Sequence, residues 1–63
     1  MDEVVLIPAA TLEYALTCLA VWEKEREARG FPEGSVTLGY FRQRWAVVVA
    51  GKLFDASFGE VWP

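Results

Sequence analysis

A single cysteine and no histidine leave this chain of 63 residues without the two staples that domains of its size commonly lean on. A disulfide needs a second cysteine, and a transition-metal site draws on histidine and cysteine, so neither closes within one copy. Below about 70–80 residues one apolar core rarely supplies more than about 3–5 kcal/mol. Folding buries only about 60% of the surface that an unfolded chain of this size exposes. Yet 54% of the residues are hydrophobic, far too many for a disordered chain. Oligomerisation is the device that remains, and a homodimer is the expectation.

Nine aromatic side chains, Trp22, Trp45 and Trp62 among them, sharpen that reading, because they are more than one small core readily hides. Some should face a partner. The formal charge of -3 gives no overall attraction to phosphate backbones, so no nucleic-acid partner is expected. The 19 residues from Val4 to Trp22 approach the length of a membrane-spanning helix with only Glu13 charged. Glu13 would then lie near the bilayer centre, and Pro8, Thr11 and Thr17 dilute the apolar run, so no membrane insertion is expected. Asp2 and Glu3 occupy the place of a positive signal-peptide n-region, and Cys18 has no mate. A reducing cytoplasm is the expected location.

Residues 9–29 read as a helix, with Leu12, Ala15, Leu16, Leu19 and Trp22 at helical spacing. Pro8 or an N-capping Thr11 marks its start, and Gly30 its end. Glu23 to Arg29 alternates charge, with Glu25 and Arg29 in favourable i,i+4 order. Tyr14, Cys18 and Val21 carry the apolar arc round to roughly 220°, wider than a core-facing stripe. The helix is therefore expected to meet its own chain on one side and a second copy on the other, with Tyr14, Cys18, Val21 and Trp22 at the dimer interface. Val4 to Ile7 is open: a short strand, a swapped edge, or a hydrophobic staple ahead of the helix.

Gly30-Phe31-Pro32-Glu33-Gly34-Ser35 is a turn over 30–35. Beyond it two readings compete. As a helix over 36–50, Leu38, Phe41, Trp45, Val48 and Val49 fall on one face and Gly51 ends it. As strands, Trp45 to Val49 and Leu53 to Phe58 pair across Ala50-Gly51, which three consecutive valines favour but which is a poor primed turn. The helix reading is taken, giving an all-α antiparallel two-helix hairpin that dimerises, in one domain over 1–63 with an irregular tail over 51–63. The alternative is α+β with a C-terminal β-hairpin. In the tail, Phe54, Phe58 and Trp62 recur four apart, as in a segment that packs back as a cover.

No catalytic constellation is evident. General acid–base work near neutral pH draws on histidine or on tuned carboxylate pairs, whereas the acids here lie on the charged end of the helix and in the termini. Cys18 has no neighbouring base and reads as a small buried hydrophobe. No phosphate loop, calcium loop or metal spacing occurs, so no enzyme and no cofactor are expected. Tyr40-Phe41-Arg42-Gln43-Arg44-Trp45 interleaves arginines with aromatics, the residue types that dominate interface hot spots. On a helix, Phe41 and Trp45 would turn to the core, and Tyr40 and Arg44 would share an exposed line. Tyr40, Arg42, Arg44 and Trp45 are the candidate partner-binding residues. The same segment admits a second reading as the recognition helix of a small helix-turn-helix DNA-binding regulator, opposed by Glu23, Glu25 and Glu27 where a DNA backbone would pass.

The run from Trp22 through Gly30-Phe31-Pro32-Glu33-Gly34-Ser35, followed by Tyr40, Arg42 and Trp45, resembles small phage-encoded host-takeover proteins of the quorum-sensing anti-activator type. The resemblance covers about residues 14–46. It implies a short helical-hairpin dimer that binds and inhibits a bacterial host protein in the host cytoplasm, such as a LuxR-type transcription activator or a pilus assembly ATPase. Under it, Glu13, Glu23, Glu25 and Glu27 would offer negative charge to a basic host surface, and Tyr40, Arg42 and Trp45 would anchor the contact.

Overall fold

Strand geometry with period two, not helical spacing, governs residues 36–50. The computed structural model describes residues 3–59. Over them run strand β1 (Val4–Ala9), helix α1 (Leu12–Arg29), strand β2 (Val36–Phe41), strand β3 (Arg44–Ala50) and helix α2 (Gly51–Ser57). The three strands form one sheet in the order β1-β3-β2, with β3 antiparallel to both neighbours. Strands β1 and β2 therefore run parallel without touching, joined through α1 and separated by β3, which is a split β-α-β arrangement.

The expectation of an all-α two-helix hairpin is overturned, and the α+β alternative is what forms. The helix expected over 36–50 is the β2–β3 hairpin. Its five-residue helical stripe spans both faces of the sheet: Leu38, Trp45 and Val49 point to the core side, Phe41 and Val48 to the other. Thr37 and the β-branched run Val47, Val48 and Val49 suit a pleated surface. The hairpin closes at Arg42-Gln43, between the paired Phe41 and Arg44. Ala50-Gly51 is no turn between strands, because β3 runs straight into α2. There the Gly51 N–H donates to the Glu3 carbonyl and the Ala50 N–H to the Ser35 carbonyl, both at 2.8 Å. Strand-end carbonyls thus satisfy donors that the start of a helix leaves unpaired.

Helix α1 begins and ends where its residues dictate. Thr11 caps it, its Oγ1 accepting from the Tyr14 N–H at 3.1 Å. At the other end Gly30 sits at φ 74°, its N–H bonds to Glu27 and the Phe31 N–H to Arg26, a Schellman closure. Arg26 reinforces the closure: Nη1 donates to the Phe31 carbonyl at 2.9 Å and Nε to Glu23 at 3.1 Å. Nothing lies within 4 Å of where a Gly30 Cβ would stand, so Gly30→Ala meets a backbone penalty alone. It is expected to destabilise the chain by about 1 kcal/mol, read by urea titration.

The core lies between α1, α2 and one face of the sheet. Ile7 and Ala9 from β1, Val36 from β2 and Val47 and Val49 from β3 face Ala15, Cys18 and Trp22 of α1 and Leu53 of α2. The wide arc of α1 is real, but its centre is what the sheet covers. Leu12 and Leu16 on one flank and Tyr14 on the other remain exposed. Within α2, Leu53 and Ser57 point inward. Phe54 stacks on Trp22 at 5.6 Å, and Phe58 follows it at 5.0 Å. The expected irregular tail over 51–63 is thus a helix through Ser57, while Trp62 lies outside the described residues.

Candidate interaction surface at the hairpin tip

Two surfaces stand out from the core side and its reverse. Both follow from which residues the β2–β3 register places side by side.

The first is the tip of the hairpin. Tyr40 pairs with Trp45, and Trp45 pairs on its other side with Ala9. The Tyr40 and Trp45 rings lie 4.7 Å apart at 58°, within the range of favourable aromatic pairs. Ala9 is small, so the Trp45 ring has open space beside it. Pro8, Ala9 and Ala10 form one wall of a groove of about 420 Å³, with Tyr40, Gln43 and Arg44 across from them. Arg42 occupies the turn itself at φ 50°, followed by Gln43 at φ 64°. Positive φ at both central residues marks a type I′ turn, a conformation that Asn-Gly adopts without strain and that Arg-Gln does not. Among the described residues neither Arg42 nor Arg44 makes an ion pair. All four expected partner-binding residues, Tyr40, Arg42, Arg44 and Trp45, are therefore brought to one corner, by a hairpin instead of the helix that was expected to carry them.

The four residues expected at a dimer interface are divided. Cys18 is 3% and Trp22 1% exposed, covered by their own sheet and α2, so a second copy cannot touch them in this fold. Val21 is half-buried against the core, and Tyr14 is exposed. A hydrogen bond with the Cys18 side chain holds the Tyr14 hydroxyl above its ordinary pKa of 10.0, with the electrostatic influence of that side chain and then desolvation adding to it. The phenol stays protonated at neutral pH. The acidic run of α1 is also engaged within the chain. Glu23 and Glu27 meet Arg26, and Glu25 accepts from Arg29 at 2.8 Å and from Ser57 at 3.3 Å. Little of that charge is left to imitate a phosphate run.

The second surface is the reverse of the sheet, which sequence reasoning missed. Both helices lie on the core side. The other side presents Val4, Leu6 and Pro8 of β1, Ala46, Val48 and Ala50 of β3, and Thr37, Gly39 and Phe41 of β2, with Arg44 at one end. Val4 is 58%, Leu6 54% and Phe41 51% exposed. The Phe41 ring lies across Gly39, where an added Cβ would collide with it. An antiparallel sheet that faces water alternates apolar-in with polar-out. Here only Thr37 and Arg44 are polar on the outer side, and the signal available in the sequence was that Val4-Val5-Leu6-Ile7 and Val47-Val48-Val49 do not alternate.

A second hollow of about 510 Å³ lies at the far end of the sheet, between Phe31, Pro32 and the first turn of α2. Its Ser35 hydroxyl already donates to the Pro32 carbonyl at 2.7 Å. Among the described residues no three acidic, cysteine or histidine side chains come together to hold a metal, and no helix is long and apolar enough to cross a membrane. Comparisons with protein-family models, with curated proteins and with solved structures each found no match.

Proposed function

We propose that this chain acts by contact and not by catalysis, as a small module that grips another protein with the tip of its β2–β3 hairpin. One observation supports the reading above others: Tyr40 and Trp45 pack ring against ring at a tilt beside an open groove, while Arg42 and Arg44 project from the same corner with no acidic mate among the described residues. Aromatic rings and guanidinium groups clustered in this way are what interface hot spots are made of. The surface suits an apolar side chain of the partner, seated against Trp45 and flanked by acidic groups.

The helix-turn-helix alternative is not carried forward, because the helix that would enter a DNA groove is two strands. Inhibition of a bacterial host protein in the cytoplasm stays compatible with a contact module. Its particular targets, a LuxR-type activator or a pilus ATPase, draw no support from this fold, since the resemblance that suggested them implies a helical hairpin.

Affinity capture from bacterial lysate with the wild-type chain, Tyr40→Ala and the double charge reversal Arg42→Glu/Arg44→Glu tests the proposal. A protein retained by the wild type should lose about 30-fold in affinity with either variant, as truncation of a hot-spot residue does. Capture that is indifferent to both variants removes the hairpin tip from consideration.

A further inference from the structure

The reverse face of the sheet raises a separate question from the hairpin tip, since it is apolar, exposed at Val4, Leu6 and Phe41, and has no second layer among the described residues. We infer that it is closed by a second copy of this chain, the two sheets packing face to face as a sandwich.

Three observations favour a second copy. The first is area. Three strands at about 4.8 Å spacing and six residues at about 3.3 Å rise make a plate of about 15 by 20 Å. Apposing two such plates removes about 600 Å² in projection. The side chains standing on them, with Val4, Leu6 and Phe41 each more than half exposed, bring the buried surface to about 1,000 Å², where specific interfaces begin. A single loop or short peptide laid across the plate would leave much of it wet.

The second is charge. A two-fold interface sets a surface against itself, so every charge on it meets its own kind unless it stands off the axis. By the alternation of β3, this face carries one charged position, Arg44, at the end of the central strand. A two-fold axis running across the strands sends the two Arg44 side chains to opposite ends of the sandwich and leaves only apolar groups in the middle. The face is thus self-complementary as it stands.

The third is that association through the β1 edge is obstructed where the face is open. Pro8 interrupts β1, an edge strand, and removes a donor from any ladder extended past it. Face packing asks nothing of the backbone. A sandwich with sheets about 10 Å apart and strands within about 30° of alignment is the ordinary way in which two such faces meet. It also supplies the association that a chain of this size without disulfide or metal calls for.

Sedimentation velocity with light scattering, on the full chain from about 1 to 500 μM, tests the inference. The wild type should reach twice the 7.1 kDa of one chain. Leu6→Glu and Val4→Lys change side chains that are exposed in one copy, so far-UV and near-UV circular dichroism should hold while the dimer dissociates at least about 100-fold more readily. Tyr40→Ala, on the core side, should leave the dimer intact. A wild-type mass of one chain across that range overturns the inference and hands the face to another occupant, the chain's own C-terminal residues or a different protein. So does a Leu6→Glu chain that remains folded and dimeric, which would place the contact elsewhere.

Discussion

Trp22→Ala is expected to leave the chain largely unfolded at 25 °C. The indole is 1% exposed, lies in the layer between α1 and the sheet, and stacks on Phe54 at 5.6 Å and 15°. Truncating a buried tryptophan to alanine costs about 3–5 kcal/mol, the sum of lost transfer energy and the cavity left behind. Stabilities of about 0.05–0.15 kcal/mol per residue put the whole of a 63-residue chain at about 3–9 kcal/mol, so one substitution removes most of it. The loss is not confined to α1. Phe54 holds α2 onto the core through this ring, and α2 begins on the Glu3 and Ser35 carbonyls at the ends of β1 and β2. A urea titration followed by far-UV circular dichroism, at one fixed chain concentration so that association does not intrude, should find a midpoint near zero urea. Trp22→Phe, which keeps a ring against Phe54, should restore a cooperative transition. A Trp22→Ala chain within about 1 kcal/mol of wild type would mean that α2 and α1 do not share a core, against the packing described.

How much of this was legible in the residues varies along the chain for physical reasons. Helix α1 could be read because its signals are local: Thr11 caps, Gly30 stops, and the spacing between them is helical. Its width of apolar surface was read correctly, but a width does not say which part of it meets the sheet. The answer depends on size, since Ala15 and Cys18 let the helix approach the strands closely and leave the bulkier Leu12, Leu16 and Tyr14 on the flanks. The hairpin was misread because its turn carries no glycine or asparagine to announce it. Arg42-Gln43 looks like any exposed pair on a helix, and once the turn is missed the alternation of 36–41 and 44–50 falls out of phase and passes for a stripe of period 3.6. Missing the turn also exchanged two aromatics: Phe41, expected in the core, lies on the reverse face, and Tyr40 pairs with Trp45. The reverse face itself could not be foreseen from a helical reading, because it exists only when three strands are laid side by side. Residue types at the tip were legible and their arrangement was not.

Arg42→Asn/Gln43→Gly is expected to stabilise the chain by about 2 kcal/mol and to raise its melting temperature by about 8–16 °C. Both residues hold positive φ, 50° and 64°, with ordinary Cβ atoms, at a cost of about 1–2 kcal/mol each. Asparagine tolerates that region and glycine occupies it freely, though glycine gives back about 0.5–1 kcal/mol to the unfolded chain. The two-residue connection and the Phe41–Arg44 pairing stay as they are, so no contact of the core is touched. Strain of this kind persists where the surroundings enforce it, and it gathers at sites of function. The proposed grip on a partner gives it a reason here, because Arg42 stands at the apex of that turn, beside the Tyr40 and Trp45 rings. Two substitutions then separate stability from binding. Gln43→Gly keeps Arg42 and should gain stability while retaining the captured partner. Arg42→Asn should gain stability and lose capture. Thermal melts alongside the capture assay read both. If Arg42→Asn gains stability and still captures the partner as the wild type does, the strained arginine contributes nothing to the contact, and the anchoring rests on Tyr40 and Trp45 alone.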